Sequence, residues 1–124
     1  MTKVNLIIKS LTDSRRQVEA DFLVDSGAHF TVVPSSIVEK LGLKPNFEQS
    51  FSLADGKTIK RKVGNVMVKF EDREMAVPVV LGERNDEGLL GVTTLESFGL
   101  MLDPFQRKIY KSRLMLGTIC CGPR

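Results

Sequence analysis

Apolar residues recur at every second position through most of this chain, and that regularity argues against a helical bundle. Val4, Leu6 and Ile8 alternate with polar neighbours, as do Val18, Ala20, Phe22 and Val24. Successive side chains of a strand point to opposite faces, whereas a helix face needs a spacing of three to four. The pattern predicts a mainly β protein with strands over residues 4–9 and 18–24, joined by the polar turn Thr12-Asp13-Ser14-Arg15. The pair Asp55-Gly56 lies between the strand-like runs 50–53 and 58–63, which predicts a hairpin with its tip there. A second hairpin is expected from 66–70 through Glu71-Asp72-Arg73 into 75–81. Pro78 belongs at an edge or a bulge, because it has no N–H to give to a ladder. Residues 81–88 read as a polar loop.

Two short helices interrupt the alternation. Pro34-Ser35-Ser36 opens a run that Gly42 stops, and Thr93-Thr94 opens another before Gly99. These helices expose an internal echo. Leu23-Val24-Asp25-Ser26-Gly27 is followed by a helix ending at Leu41-Gly42-Leu43, and Leu89-Leu90-Gly91 by a helix ending at Phe98-Gly99-Leu100. Both halves run apolar strand, glycine turn, short helix, glycine stop and apolar exit, but the second half lacks the acid. After Leu100-Met101-Leu102 a turn is expected at Asp103-Pro104-Phe105-Gln106, then a strand from Lys108 to about Tyr110. No linker divides the 124 residues, so one domain is expected over 1–124, with a core at about 3–111 and a tail at 112–124. A domain of this size buries only roughly two-thirds of the surface its unfolded chain exposes, so a large cleft calls for a partner.

Composition narrows the functional classes. With 42% hydrophobic and 27% charged residues, neither a disordered nor a fibrous reading fits. The net charge is +3, yet the densest basic cluster, Lys57, Lys60, Arg61 and Lys62, has no interleaved aromatics and reads as a solvated strand face. No nucleic-acid partner is expected. Cys120 and Cys121 are adjacent, where an unstrained disulfide within the chain is improbable. The N-terminal alternation is not the continuous apolar run of a signal peptide or membrane span, so the expectation is a cytoplasmic protein with no membrane partner. His29 is the only histidine and has no other well-spaced ligands, so no metal and no cofactor is expected.

The chemistry centres on Asp25-Ser26-Gly27. An Asp in a strand-terminal turn is commonly a local hydrogen-bonding residue. An aspartic protease, in contrast, needs two close carboxylates sharing one proton, one acting as acid and the other as base toward a water. Only one Asp-Ser-Gly is present, since Asp13-Ser14 is followed by Arg15. Such a dyad therefore forms only across a two-fold axis between identical subunits. Ser26 supplies a hydroxyl that can donate across the axis, and Gly27 lets backbone N–H groups approach the carboxylate.

Three stretches taken together resemble the retropepsin-like (retroviral-type) aspartic proteases, especially their small prokaryotic members. They are Phe22-Leu23-Val24-Asp25-Ser26-Gly27-Ala28 with Thr31-Val32-Val33, then Leu53-Ala54-Asp55-Gly56, then Gly88-Leu89-Leu90-Gly91 followed by Leu95-Glu96-Ser97-Phe98-Gly99-Leu100-Met101-Leu102-Asp103-Pro104. The resemblance implies a single-domain acid-protease fold, a closed β-barrel with a flap hairpin and one or two short helices. It implies a homodimeric aspartic endopeptidase acting on peptide or protein substrates. Asp25, Ser26 and Gly27 would be catalytic. Ala28, His29, the hairpin tip Ala54, Asp55, Gly56 and Lys57, and Leu90 would contact the substrate, with Val33, Leu53, Ile59 and Val80 near an apolar cleft.

The sequence departs from the viral pattern at several points. His29 stands where viral members usually carry an acid and Val92 where they carry arginine, the flap tip has fewer glycines, and the tail is longer. These departures keep open a rival of another class, a catalytically weak or inactive dimer of the same fold that serves as a peptide- or protein-binding module. A subunit active only inside a larger assembly, contacted through the Cys120-Cys121 tail, is a third reading.

Overall fold

A computed structural model describes residues 2–103, 106 and 108–111. Its elements are β1 (Lys3–Lys9), β2 (Gln17–Val24), β3 (Thr31–Val33), α1 (Ser35–Leu41), β4 (Phe47–Ser52), β5 (Thr58–Phe70), β6 (Arg73–Leu81), β7 (Leu89–Leu90), α2 (Val92–Ser97), β8 (Leu100–Asp103) and β9 (Lys108–Lys111). The chain is mainly β, as the period of two requires.

Strands β1, β2, β7, β3, β6 and β5 bond side by side in that order, and β5 returns to β1 through Ile7↔Lys69, Ile8↔Val68 and Lys9↔Met67. Six strands thus close into a barrel, which removes the exposed edges an open sheet would have. The 13-residue β5 makes this possible. Its second half meets β1, its first half meets β4 on the same edge, and β6 covers the other edge from Lys62 onward. The β4–β5 hairpin therefore projects beyond the barrel. Strands β8 and β9 form a separate two-stranded ribbon.

The even-numbered side chains of β1 and β2 point inward as the alternation predicts. Leu6, Ile8 and Phe22 are at most 1% exposed and pack with Val33, Val66, Val68, Val77, Val79 and Leu90. Each large apolar side chain so buried contributes about 1.5–3 kcal/mol. Both helices stop as expected: Gly42 takes φ +63 and gives its N–H to Glu39, and Gly99 takes φ +70. The guanidinium of Arg73, at the start of β6, donates to the Phe98 carbonyl and ties α2 to the barrel.

Some details differ from the alternation. The β5–β6 turn is tighter than expected, since Phe70 pairs with Arg73 and only Glu71 and Asp72 span it, Glu71 at φ +54. Pro78 lies opposite Asn65, one residue before β3 joins β6 at Thr31↔Val79, so its missing N–H costs no ladder bond to β3. Strands β3 and β7, three and two residues long, are too short for periodicity to detect. Of the turn expected at 103–106, residues 104 and 105 lie outside the described residues, as does the tail 112–124 with Cys120 and Cys121. No helix among the described residues is long and apolar enough to cross a membrane.

One ion pair fixes the root of the projecting hairpin. Arg61 of β5 donates from Nε to Asp86 Oδ2 at 2.8 Å and from Nη2 to Oδ1 at 3.2 Å, with Glu83 Oε2 3.5 Å from Nη1. The side chains are 18% and 26% exposed, so this pair is better shielded than a surface bridge. The hydrogen bond from Arg61 holds the Asp86 carboxyl below 3.8, aided by the Glu83 N–H and the guanidinium charge and opposed by burial. A depressed carboxyl stabilises the fold fully above its unfolded value and ceases to do so as pH falls through the folded value. Asp86→Asn should therefore cost about 1–2 kcal/mol at neutral pH. The urea midpoints of variant and wild type should converge as pH drops below 3.8.

Candidate active site at the end of β2

Strand β2 is held on both sides where it ends. Val24 gives its N–H to Thr2 O at 2.8 Å, Leu23 to Gly88 O at 3.1 Å and Asp25 to Leu90 O at 3.2 Å. The parallel pairing Leu23↔Leu89 and Val24↔Leu90 continues this anchorage. Beyond it the chain turns sharply. Ala28 N–H returns to Asp25 O at 3.1 Å, and Gly27 N–H meets the carboxylate Oδ1 at 2.8 Å. Asp25 is half-buried, while Ser26 and Gly27 are exposed. This bond closes a local turn and leaves a half-buried carboxylate beside an exposed hydroxyl at the end of the strand.

The turn is locked from below by the second half of the echo. Ala28 O accepts from Val92 N–H and His29 O from Thr93 N–H, both at 2.9 Å. Gly91 N–H donates to Thr31 Oγ1 at 3.0 Å, and Thr31 Oγ1 meets Thr94 Oγ1 at 2.6 Å, with both threonines fully buried. Two backbone rungs and a buried hydroxyl pair thus join the loop after Asp25 to the start of α2. Alternation does not mark this pair; two threonines near a glycine turn are its signal in the sequence.

Residue parity decides which side chains share the face of Asp25. Leu23 and Leu89 are partners, as are Val32 and Leu89, and directly paired residues project to the same side. The face two residues from Leu23 is that of Asp25, so Leu89 and Val32, both half-buried, flank it. Leu90 points the other way, 3% exposed in the core, and reaches Asp25 only through its carbonyl. That corrects its expected place in the cleft wall: a shift of one residue changes the face. Val33 is likewise fully buried on the core side, whereas Val80, beside Val32, shares the Leu89 face.

The hairpin expected to act as a flap carries its tip at residues 53–57. Leu53 N–H bonds Lys57 O at 2.7 Å, Gly56 N–H bonds Leu53 O at 2.9 Å, and Asp55 Oδ1 takes Lys57 N–H at 2.9 Å. Gly56 adopts φ +89, which an Asp-Gly tip anticipates. Asp55 here does turn chemistry, and Ala54, Gly56 and Lys57 stand exposed. His29 is exposed and packs edge-on against Phe30, with ring centroids 5.1 Å apart. Phe30 in turn meets Phe51 of β4 at 5.9 Å, a contact the sequence reading did not single out. Among the described residues no group of three or more His, Cys, Asp or Glu side chains is placed to hold a metal ion.

Comparison with known proteins agrees with this geometry. A family model described as "Aspartyl protease" matches residues 13–94. The EIAV protease in complex with an inhibitor superposes with a TM-score of 0.59 at 15% identity, covering 92% of this chain and 91% of that one. The simian foamy virus (mac) protease gives a TM-score of 0.55 at 20% identity, covering 78% and 94%. The fold is therefore retropepsin-like. No curated protein sequence matches the chain.

Proposed function

This chain belongs to the aspartyl protease family, and we propose that it is an endopeptidase that works as a homodimer, with one Asp25 from each subunit forming the catalytic pair. The observation that carries the reading is the single oriented carboxylate. Asp25 is held by Gly27 N–H at the end of β2, while the matching turn at Gly91 carries no acid. One chain thus supplies half of a dyad.

In the dimer the two carboxylates share one proton, because like charges a few ångströms apart do not both remain ionised. The ionised partner takes a proton from water as its oxygen attacks the peptide carbonyl carbon. The protonated partner gives its proton to the carbonyl oxygen, and a tetrahedral diol results. Collapse of that diol breaks the C–N bond, with a proton passing to the leaving amine. Gly27 N–H keeps Oδ1 fixed throughout, and the exposed Ser26 hydroxyl is available to donate across the axis. The β4–β5 hairpin serves as the flap that covers the peptide and excludes water. Val32 and Leu89 beside Asp25 favour apolar side chains near the cut bond.

Subunit mixing tests both halves of this reading. Inactive Asp25→Asn subunits, equilibrated with an equal amount of wild type, should lower activity per wild-type subunit to about half, because only like pairs of wild-type subunits retain two acids. Unchanged activity per wild-type subunit would establish a self-sufficient monomer and sink the shared dyad. A wild-type dimer that cleaves no peptide would favour the binding-module reading.

A further inference from the structure

Five of the six residues of β4 are exposed, and the exception is Phe51. It is directed at the loop that carries Asp25, where its ring meets Phe30 edge-on at 5.9 Å and 89°. Phe30 is a fixed anvil at its backbone, since an added Cβ on Gly91 would lie only 2.4 Å from its carbonyl carbon. Its ring is half-buried and also flanked by His29 at 5.1 Å. The hairpin's other firm tie, Arg61 to Asp86, is ionic and lies nearer the barrel, across the ladder from Gln49. Phe51 pairs with Ile59 and so shares a face with it. Phe51 and Ile59 therefore form an apolar strip, of which the Phe51 ring meets Phe30.

The two ties differ in kind. The bidentate ion pair is directional and partly shielded, a hinge that persists. An edge-to-face ring pair is worth only about 0.5–1.5 kcal/mol beyond its buried area, and another ring can replace either partner without leaving a polar group unpaired. A peptide passing under the hairpin must part this contact, and the side chain that best restores what is lost is itself aromatic.

We propose that Phe30 and Phe51 form a specificity-determining aromatic gate, which admits an aromatic side chain of a bound peptide between the flap and the Asp25 loop. The inference rests on the proposed dimer, and its test needs that dimer but no turnover. By two-fold symmetry two gates exist, so the preference falls at positions placed symmetrically about the cut bond.

Binding to full-length Asp25→Asn protein, which cannot turn over the peptide, isolates recognition. Fluorescent peptides carrying phenylalanine, leucine or alanine at each position in turn are titrated against it by anisotropy. The expected result is about tenfold tighter binding for phenylalanine than for alanine at one symmetric pair of positions, with leucine between. Adding Phe51→Ala, a change on a strand that is otherwise exposed, should reduce that ratio below about twofold. Phe51→Leu, which keeps apolar bulk, should leave a leucine-over-alanine preference but remove the extra gain from a ring. Equal affinity for all three peptides, no measurable binding, or a preference that survives Phe51→Ala would overturn the gate. Wild-type cleavage that disappears with Asp25→Asn would still leave the catalytic reading standing. The converse result, a Phe51-dependent preference in a protein that never cleaves, would leave the gate as part of a binding module.

Discussion

Asp25→Asn is expected to reduce kcat/KM for peptide cleavage by at least about 10³-fold, since in the proposed dimer it removes the general acid and base together. The substitution suits the question because it leaves geometry alone. Asparagine has the same shape, and its side-chain oxygen still accepts the Gly27 N–H that Asp25 Oδ1 takes at 2.8 Å. The backbone bonds to Leu90 and Ala28 involve no side chain and persist as well. Loss of activity through unfolding is thus not expected, and the thermal midpoint should stay close to that of wild type. In the proposed dimer, association should persist or tighten, because two neutral amides at the axis would replace a pair that shares one charge. Sedimentation of both proteins beside the cleavage assay checks this. An Asn variant that keeps a tenth or so of wild-type activity would rule out Asp25 as the catalyst.

Gly91→Ala is expected to be the most damaging glycine-to-alanine change among the described residues, costing about 3 kcal/mol or more and taking activity with it. The reason is collision, not backbone strain. Gly91 has φ −89 and ψ 167, a region open to any residue. A Cβ there would lie 2.4 Å from Phe30 C, 2.5 Å from Phe30 O and 2.8 Å from Thr31 N. All three are backbone atoms that no rotamer change can remove. Relief requires the Phe30–Thr31 peptide to move away from β7 and α2, which would stretch Gly91 N–H to Thr31 Oγ1 and the rungs at Ala28 and His29. The same shift disturbs the Asp25 turn. Gly56→Ala makes a useful contrast, because a Cβ there meets nothing within 4 Å and only φ +89 penalises it. Its cost should be about 1–2 kcal/mol, confined to the hairpin tip. Chemical denaturation of the two variants separates a packing collision from a local turn penalty. Equal, small losses would show that the Phe30–Gly91 approach is not tight in solution.

The fate of individual residues shows how far linear reasoning reached. The position of Asp25 at a strand end, before a tight turn, was legible because the alternation of β2 runs up to it and Gly27 follows two residues later. The Asp55-Gly56 tip was legible because turn chemistry is local. Leu90 was misplaced because two adjacent leucines in a two-residue strand give no parity, and only the partners Leu23 and Val32 show that Leu89 takes the site face. Phe30, Phe51, Arg61, Asp86, Thr31 and Thr94 escaped for a common reason. Their partners lie 21, 25 and 63 positions apart, and no local pattern marks which distant residue a side chain will meet.

Local residue order is enough to specify a mainly β chain with two glycine-stopped helices, a hairpin at Asp55-Gly56 and an acid, Asp25, at a strand end. All of these follow from interactions within a few residues: period, turn preference and capping. Long-range packing sets the return of β5 to β1 that closes the barrel, the close approach of Gly91 to Phe30, and the meeting of the Phe51 ring of β4 with Phe30. Those outcomes depend on which segments share the interior, a competition settled by burying Leu6, Ile8, Phe22 and Val66 together.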